Sequence, residues 1–266
     1  MRLSSIRPTV RRRIGRWTSY VVAAGVVLFV ALAADWPRIG RQFFNPDVLR
    51  KLWPDIVYIA LRNTLLFTIV SFVFGTLLAI LLALMKMSRG PAKWFAVGFI
   101  ELFRGLPALV TIIAIAFMIP IAFNGAKLPG PTVMSGLLAL ILVTGAYSAE
   151  IIRAGIEAVP KGQREAARSL GMPHLTTTMS IILPQAIRIV IPPITNEFVL
   201  LLKDTSLLFV IGTTVQTREL TTFGRNGMTT YASSTPLILA ALLYLVITIP
   251  LTYMVGRLEK KMAVKK

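Results

Sequence analysis

The residues best placed for chemistry are ionisable and polar side chains inside otherwise apolar stretches. One stretch carries Glu101 and Arg104, which lie three positions apart. A second stretch carries a denser group, namely Asn196, Glu197, Lys203, Asp204, Thr205 and Ser206. Because ionisable groups in apolar surroundings are costly, they usually face protein or a water-filled cavity. Both groups are therefore candidates for lining a route across a membrane.

Glu101 and Arg104 admit two interpretations. In the first, they lie on such a route and bind the ammonium or carboxylate group of a zwitterion. In the second, the ELFRG segment is an elbow at the membrane edge, and the apolar helix starts at Leu106. The two side chains can also pair with each other, since residues three apart on a helix are neighbours.

The second group forms a polar stripe along one side of a predicted helix. Asn196 and Lys203 are two turns apart on one face, and Glu197 and Asp204 occupy the adjacent strip. The stripe either lines the route or packs against neighbouring helices or a second subunit, with its charges mutually satisfied. The sequence leaves both interpretations open.

Composition excludes several kinds of chemistry. The chain has no cysteine and one histidine, His174, so it offers no disulfide framework, thiolate metal site or cysteine nucleophile. It also lacks the G-x-x-x-x-G-K-[ST] loop that cradles ATP phosphates. We therefore expect no catalytic residue, no metal site and no cofactor in this chain, and we expect His174 to be an exposed surface residue.

Charges interrupt the apolar sequence so that six stretches are long enough to cross a hydrocarbon core of ~30 Å as helices. The predicted spans are 17–34, 63–85, 94–123, 128–149, 189–211 and 236–256. This pattern predicts an all-α polytopic membrane protein. The first span ends in Ala31-Leu32-Ala33, which resembles a signal-peptidase site, but it exceeds the usual ~7–15-residue signal core, which favours a retained helix. Pro192 and Pro193 predict an elbow near the start of the fifth span.

The net charge of +18 reflects orientation in the bilayer. Segments on the side of both termini hold more than twice as many lysines and arginines as those on the opposite side. By the positive-inside tendency, both termini and residues 150–188 face the cytoplasm, and no nucleic acid is needed to explain the charge. Basic residues near the carboxyl terminus are interpreted as an anchor at the lipid surface, namely Arg257, Lys260, Lys261, Lys265 and Lys266.

A short polar helix is predicted within the cytoplasmic segment. Pro160 suits a helix start, residues 161–170 are rich in helix formers, and Gly171 is a stop signal. Isolated helices shorter than ~12–15 residues are marginal in water, so docking on another surface would stabilise it. A face of small and apolar residues, which another surface can approach, consists of Ala166, Ala167 and Leu170.

The segment from residue 165 to 186 resembles the EAA signature of the membrane subunits of binding-protein-dependent ABC importers. The matching residues are Glu165, Ala166, Ala167, Gly171, Leu183 and Pro184. In that family the short helix is the coupling helix, which inserts into a groove on a cytoplasmic ATPase. The resemblance implies that these residues couple the chain to an ATPase dimer, which would bind the ATP and magnesium.

The resemblance extends to residues 147–163 and 182–207 and is closest to permeases for polar amino acids. The KDTSL portion, 203–207, is most similar to glutamine and glutamate members. ELFRGLP, 101–107, also matches, although the family more often has a polar residue where Leu106 stands. The resemblance implies a five-helix type I importer core at 61–258. An N-terminal part at 1–54 adds one transmembrane helix, and a basic tail follows at 259–266.

The implied function is that of a permease subunit in the prokaryotic plasma membrane that imports a polar amino acid, with glutamate or glutamine favoured. Its partners would be the ATPase dimer, an extracytoplasmic substrate-binding protein, a second permease subunit and membrane lipid. The alternatives are a secondary amino acid transporter, an ABC permease for a different small solute, and a membrane scaffold or channel subunit. A secondary transporter is typically built from inverted repeats, and none is detected in the sequence.

Overall fold

The computed structural model describes residues 8–125 and 129–262, and within these ranges it contains no strand. The predicted first residue of the fourth span, Leu128, and the basic residues Lys265 and Lys266 lie outside the described residues. The α-helices are α1 Pro8–Ala33, α2 Trp36–Phe43, α3 Pro46–Leu52, α4 Arg62–Met87, α5 Pro91–Gly105, α6 Ala108–Ile113, α7 Ile119–Ala122, α8 Val133–Glu157, α9 Lys161–Ser169, α10 His174–Thr177, α11 Leu183–Asp204, α12 Leu220–Tyr231 and α13 Thr235–Met262. π-Helical turns at Ile56–Leu61, Ala114–Met118 and Thr178–Ile182 and a 3₁₀ helix at Thr205–Ile211 extend some of them.

The described residues up to Asn45 form one compact unit, and those from Pro46 onwards form a second. In the first unit, the part of α1 from Arg16 to Ala33 is long and apolar enough to cross a membrane. Asp35 then caps α2, because its carboxylate accepts a hydrogen bond from the Arg38 backbone N–H at 3.0 Å. The predicted first span is thus a continuous helix.

In the second unit, three continuous helical stretches can cross a membrane by length and composition, namely Ile56–Met87, Val133–Glu157 and Thr235–Met262. A fourth is broken, because α5 meets the stretch Ala108–Ala122 at an angle of 107°. Leu106 is extended and Pro107 lacks a backbone N–H, so the helix cannot continue through this point. The third predicted span is therefore bent, as the elbow interpretation of ELFRG expects.

The predicted fifth span corresponds to α11 and the 3₁₀ helix that follows it. Unlike the other predicted spans, α11 is not among the stretches that qualify as membrane spans, and it packs against α8, α13 and α4. The elbow predicted at Pro192 and Pro193 is absent, because α11 continues through both residues. Contacts with three neighbouring helices stabilise α11 enough to offset the backbone hydrogen bonds that the prolines remove.

Helices α4 and α8 form the most extensive helix pair of the core. A Cβ placed on Gly75 would lie 2.9 Å from Thr144, and one placed on Gly145 would lie 2.7 Å from the Leu78 side chain. Glycine at both positions therefore lets the two helices approach closely.

Helix α8 is longer than the predicted fourth span, which ended at Ala149. The charge at Glu150 suggested an end to the helix, yet Lys86 Nζ lies 2.8 Å from its carboxylate and Arg153 also pairs with it. Arg153 pairs in turn with Glu157. Because these cations neutralise Glu150, the helix passes through it and carries two further turns to the base of α9.

Candidate coupling surface and translocation residues

Helix α9 coincides with the predicted coupling helix. It begins after Pro160, whose carbonyl accepts a hydrogen bond from the Gln163 N–H at 3.0 Å. It ends at Ser169, Leu170 is its C-cap, and Gly171 follows with a φ of +80°. A positive φ of this size is adopted readily only by glycine, so Gly171 turns the chain back at the end of the helix. The helix and its stop signal are confirmed.

Ala167 is the one residue of α9 that is buried, with 5% of its surface exposed. Its carbonyl accepts the Met172 N–H at 3.2 Å, which closes the turn after the helix. A neighbouring hydrophobic cluster of Val159, Ile182 and Ala186 joins the end of α8 to the start of α11. Helix α9 contacts the π-helical turn that holds Ile182. This cluster forms a packed base under α9. Such support is expected, because a helix this short is only marginally stable in water by itself.

The six residues of the EAA signature divide between two locations. Glu165 and Ala166 are exposed on α9, and Glu165 forms no ion pair among the described residues. Leu183 and Pro184 instead form the first turn of α11, where proline lacks only an N–H that has no helical partner. The first half of the signature thus contributes exposed residues on α9, and the second half belongs to α11, which helps to support α9.

Three exposed apolar side chains near α9 were not among the predicted site residues. Leu170 is 83% exposed, Leu175 70% and Met179 56%. Leu170 was expected on the approach face beside Ala167, but the two side chains differ completely in exposure. Exposed apolar groups clustered on a polar segment are typical of a protein interface. His174, between two of these side chains, is exposed as predicted.

Glu101 and Arg104 are both exposed, and they form no ion pair within the described residues. The Arg104 guanidinium carbon lies 5.6 Å from the centroid of the Tyr147 ring, a cation–π distance. The Tyr147 hydroxyl donates a hydrogen bond to the Arg104 carbonyl at 3.4 Å. Arg104 is therefore fixed against α8, whereas Glu101 has no such contact in the described structure.

The polar stripe of α11 is mixed in exposure. Asn196 and Lys203 are exposed, while Glu197 and Asp204 are half-buried. No ion pair joins any of these side chains within the described residues, so they are not mutually satisfied inside the chain. The remaining members are Ser206, which is half-buried, and Thr205, which is buried and donates to the Leu202 carbonyl at 2.6 Å. Lys203 lines an open cleft along α13.

The segment between α11 and α12 is tied to the start of α4 by hydrogen bonds that sequence reasoning missed. Asn63 Nδ2 donates to the carbonyls of Gln216 and Arg218 at 2.7 and 3.0 Å. The Leu220 N–H donates to Thr64 Oγ1 at 3.1 Å. These contacts join residues more than 150 positions apart, so no local pattern indicates them.

Glu219 is fully buried at the amino end of α12. Its carboxylate accepts hydrogen bonds from the backbone N–H groups of Thr221 and Thr222, from Thr222 Oγ1 at 2.6 Å and from the Tyr244 hydroxyl at 3.2 Å. Burial raises the pKa of the Glu219 carboxyl, and the hydrogen bonds only partly oppose this effect. Glu219 therefore links α12 to α13 as a helix cap.

Metal binding finds no support in residues 8–125 and 129–262. These ranges contain no group of three or more histidine, cysteine, aspartate or glutamate side chains able to hold an ion.

Three continuous spans and one bent span in the second unit, with α9 exposed between α8 and α11, agree with the type I ABC importer fold of a multi-pass membrane subunit. The chain belongs to the family described as binding-protein-dependent transport system inner membrane component, whose model matches residues 71–264.

Two curated relatives and one solved structure illustrate the similarity. The L-cystine transport system permease protein TcyB of Bacillus subtilis (strain 168) is 41% identical over 181 residues, which cover 68% of this chain and 71% of the relative. The putative glutamine transport system permease protein GlnP of Rickettsia conorii is 34% identical over 221 residues, covering 82% and 99%. A crystal structure of an amino acid ABC transporter with histidines matches with a TM-score of 0.72 and 35% identity, over 80% of this chain and 96% of the other. The family and its amino acid permease branch are thus as the sequence predicted.

Proposed function

We propose that this chain is the permease subunit of an ABC importer that moves a polar amino acid, with glutamate or glutamine favoured, across the prokaryotic plasma membrane. The observation that carries the proposal is the exposed helix α9 on its packed base, in a chain of this family. The relatives named above are permeases for cystine and glutamine, which supports amino acid cargo.

Helix α9 acts as the coupling helix. Exposed Glu165 on α9, Leu170 directly after it and Leu175 on α10 combine polar and apolar groups, which suits insertion into a groove on an ATPase. Because the base joins α8 to α11, a displacement of α9 moves both helices, and packed elements move as units. ATP and magnesium bind the ATPase dimer, and this chain contributes no catalytic residue or cofactor.

The cargo passes beside the polar groups identified from the sequence. Lys203 and Asn196 are exposed on α11, and Glu101, which forms no ion pair among the described residues, lies just before the bend of the third span. Their exposure, together with the missing ion pairs within the described residues, favours a route lining over internal packing. A second permease subunit, the same or a related chain, completes the route, and an extracytoplasmic binding protein delivers the cargo.

The topology follows the distribution of basic residues. Both termini and α9 face the cytoplasm. The 212–219 segment, which accepts the hydrogen bonds from Asn63, therefore lies on the opposite side of the membrane.

The decisive experiment is uptake by the complex of this chain with its ATPase and binding protein in liposomes. Glu165→Lys reverses the charge on the outward face of α9, and Glu259→Lys makes the same change on exposed α13 as a control. We expect Glu165→Lys to lower the amino acid imported per ATP hydrolysed, and Glu259→Lys to match the wild type. Unchanged coupling in both variants, or accumulation of amino acid without the ATPase, would contradict the proposal.

A further inference from the structure

An open cleft of about 560 Å³ runs along the second half of α13 and is closed on one side by α11. This volume lies within the ~300–1,000 Å³ typical of small-molecule sites. Its lining consists of Lys203, Thr248, Ile249, Thr252, Tyr253, Gly256, Arg257 and Lys260. Sequence analysis had interpreted Arg257 and Lys260 as part of a lipid-surface anchor, separate from Lys203.

The charge of the cleft has one sign. Three of its lining residues, Lys203, Arg257 and Lys260, are cations, and none is acidic. Asp204 and Glu259 are their neighbours in the chain, but neither lines the cleft. No carboxylate among the described residues forms an ion pair with any of the three cations. The cleft is therefore suited to an anionic group.

Arg257 is held in place by the cleft itself. Its Nη2 donates a hydrogen bond to the Tyr253 hydroxyl at 2.7 Å, and its guanidinium carbon lies 4.5 Å from the centroid of that ring. The Tyr253 hydroxyl uses only one of the N–H groups of the Arg257 guanidinium. The other N–H groups are available to bind a carboxylate in a bidentate manner. Hydroxyl groups of Thr252 and Tyr253 add further polar atoms to the same wall.

The residues that line the cleft are spread along the axis of α13. Thr248, which shares the cleft with Lys203, lies ~20 Å along α13 from its first residue, and Lys260 lies ~18 Å further, at 1.5 Å per residue. The cleft thus extends from the middle of the last span to its carboxyl end. In the proposed topology that end is cytoplasmic, so the cleft follows the direction of import.

We propose that this cleft binds the carboxylates of the cargo on its way to the cytoplasm, and that the cargo is therefore an acidic amino acid. This inference rests on the proposed function. An acidic amino acid offers two carboxylates to the cations, a neutral amino acid offers one, and a basic amino acid adds a charge that they repel. A phospholipid headgroup is the other source of an anionic ligand, and the test separates the two.

The test measures equilibrium binding of radiolabelled glutamate, glutamine and arginine to the complex of this chain with its ATPase, in nanodiscs of phosphatidylcholine. We expect glutamate to bind most tightly, and Lys203→Gln or Arg257→Gln to raise its Kd about tenfold, as expected for one lost charge-assisted hydrogen bond. Lys261→Gln removes the same charge from α13 outside the cleft and is expected to leave the Kd unchanged. Lys203→Arg keeps the charge and is expected to retain binding, which separates loss of charge from loss of folding.

Several results would overturn the inference. Glutamine or arginine bound as tightly as glutamate, or an equal effect of Lys261→Gln, would show that the cleft does not select an acidic cargo. Phosphatidylglycerol retained by the wild type and released by Arg257→Gln would assign the cleft to a lipid headgroup. ATP-driven uptake with the binding protein present tests the proposed function separately. Uptake that favours a neutral or basic amino acid refutes only this inference, whereas no uptake of any amino acid refutes the proposed function.

Discussion

Replacement of Gly171 by alanine tests whether the turn after α9 is needed for coupling. The φ of +80° at Gly171 is strained for any residue with a Cβ, although a Cβ there would meet no atom within 4 Å. The cost of alanine is therefore purely conformational, roughly 1–2 kcal/mol for the left-handed region. Asparagine tolerates this region better than alanine, so we expect its cost to be smaller.

Gly162 provides a matched control inside α9. A Cβ at Gly162 also meets no atom within 4 Å, and its φ lies outside the positive range. Alanine at this helical position is expected to stabilise α9 by roughly 0.5–1 kcal/mol. The same added methyl group thus has opposite effects at two positions nine residues apart. Any nonspecific effect of added volume would instead make the two variants alike.

The assay is the number of amino acid molecules imported per ATP hydrolysed by the reconstituted complex. A loss of 1–2 kcal/mol lowers the ratio of formed to unformed turn by roughly 5–30-fold. The Met172 N–H, which donates to the Ala167 carbonyl, should then exchange with solvent faster by about the same factor. We expect Gly171→Ala to reduce coupling and Gly162→Ala to preserve it. Equal coupling in the two variants would refute the reasoning.

Three further predictions concern the stability of the bundle, each measured by thermal unfolding in detergent. Gly155→Ala would place a Cβ 2.2 Å from Val190 Cγ2, which should cost roughly 1–3 kcal/mol, most of it recovered when Val190→Ala is added. Because burial raises the pKa of Glu219, its contribution to stability is largest at low pH and falls as pH rises through the raised pKa; Glu219→Gln should remove this dependence. Lys86→Met leaves Glu150 with Arg153 alone and should cost roughly 1–2 kcal/mol.

Local signals predicted the short helix well. Pro160 and Gly171 act on the residues next to them, so the start and stop of α9 follow from backbone preferences alone. Interruptions of apolar sequence by charge likewise indicated the first, second, fourth and sixth spans and the bent third one, whereas α11, the predicted fifth span, is not among the stretches that qualify. The motif then identified α9 as the candidate coupling element. The coupling and pathway roles of the named residues stay predictions.

Features that depend on tertiary contacts could not be predicted from local sequence. The extension of α8 past Ala149 requires Lys86 to reach Glu150 from another helix. The continuity of α11 through Pro192 requires packing that offsets the lost backbone hydrogen bonds. The bonds that Asn63 donates also join distant segments. In each case the deciding partner is remote in sequence, so local propensity gave the wrong boundary or no indication.

The position of Gly155 supports the proposed transmission of movement from α9 to the helix bundle. It lies on α8 about one turn before Val159 in the base of α9, and a Cβ at this position would lie 2.2 Å from Val190 Cγ2 of α11. Helices in such contact cannot slide without a clash, because packed interiors deform little. In the proposed mechanism, a force on α9 would therefore reach α8 and α11 together. Since α11 carries Lys203, which shares a cleft with α13, we expect the same movement to change the width of that cleft. Gly155→Ala should consequently reduce coupling as well as stability.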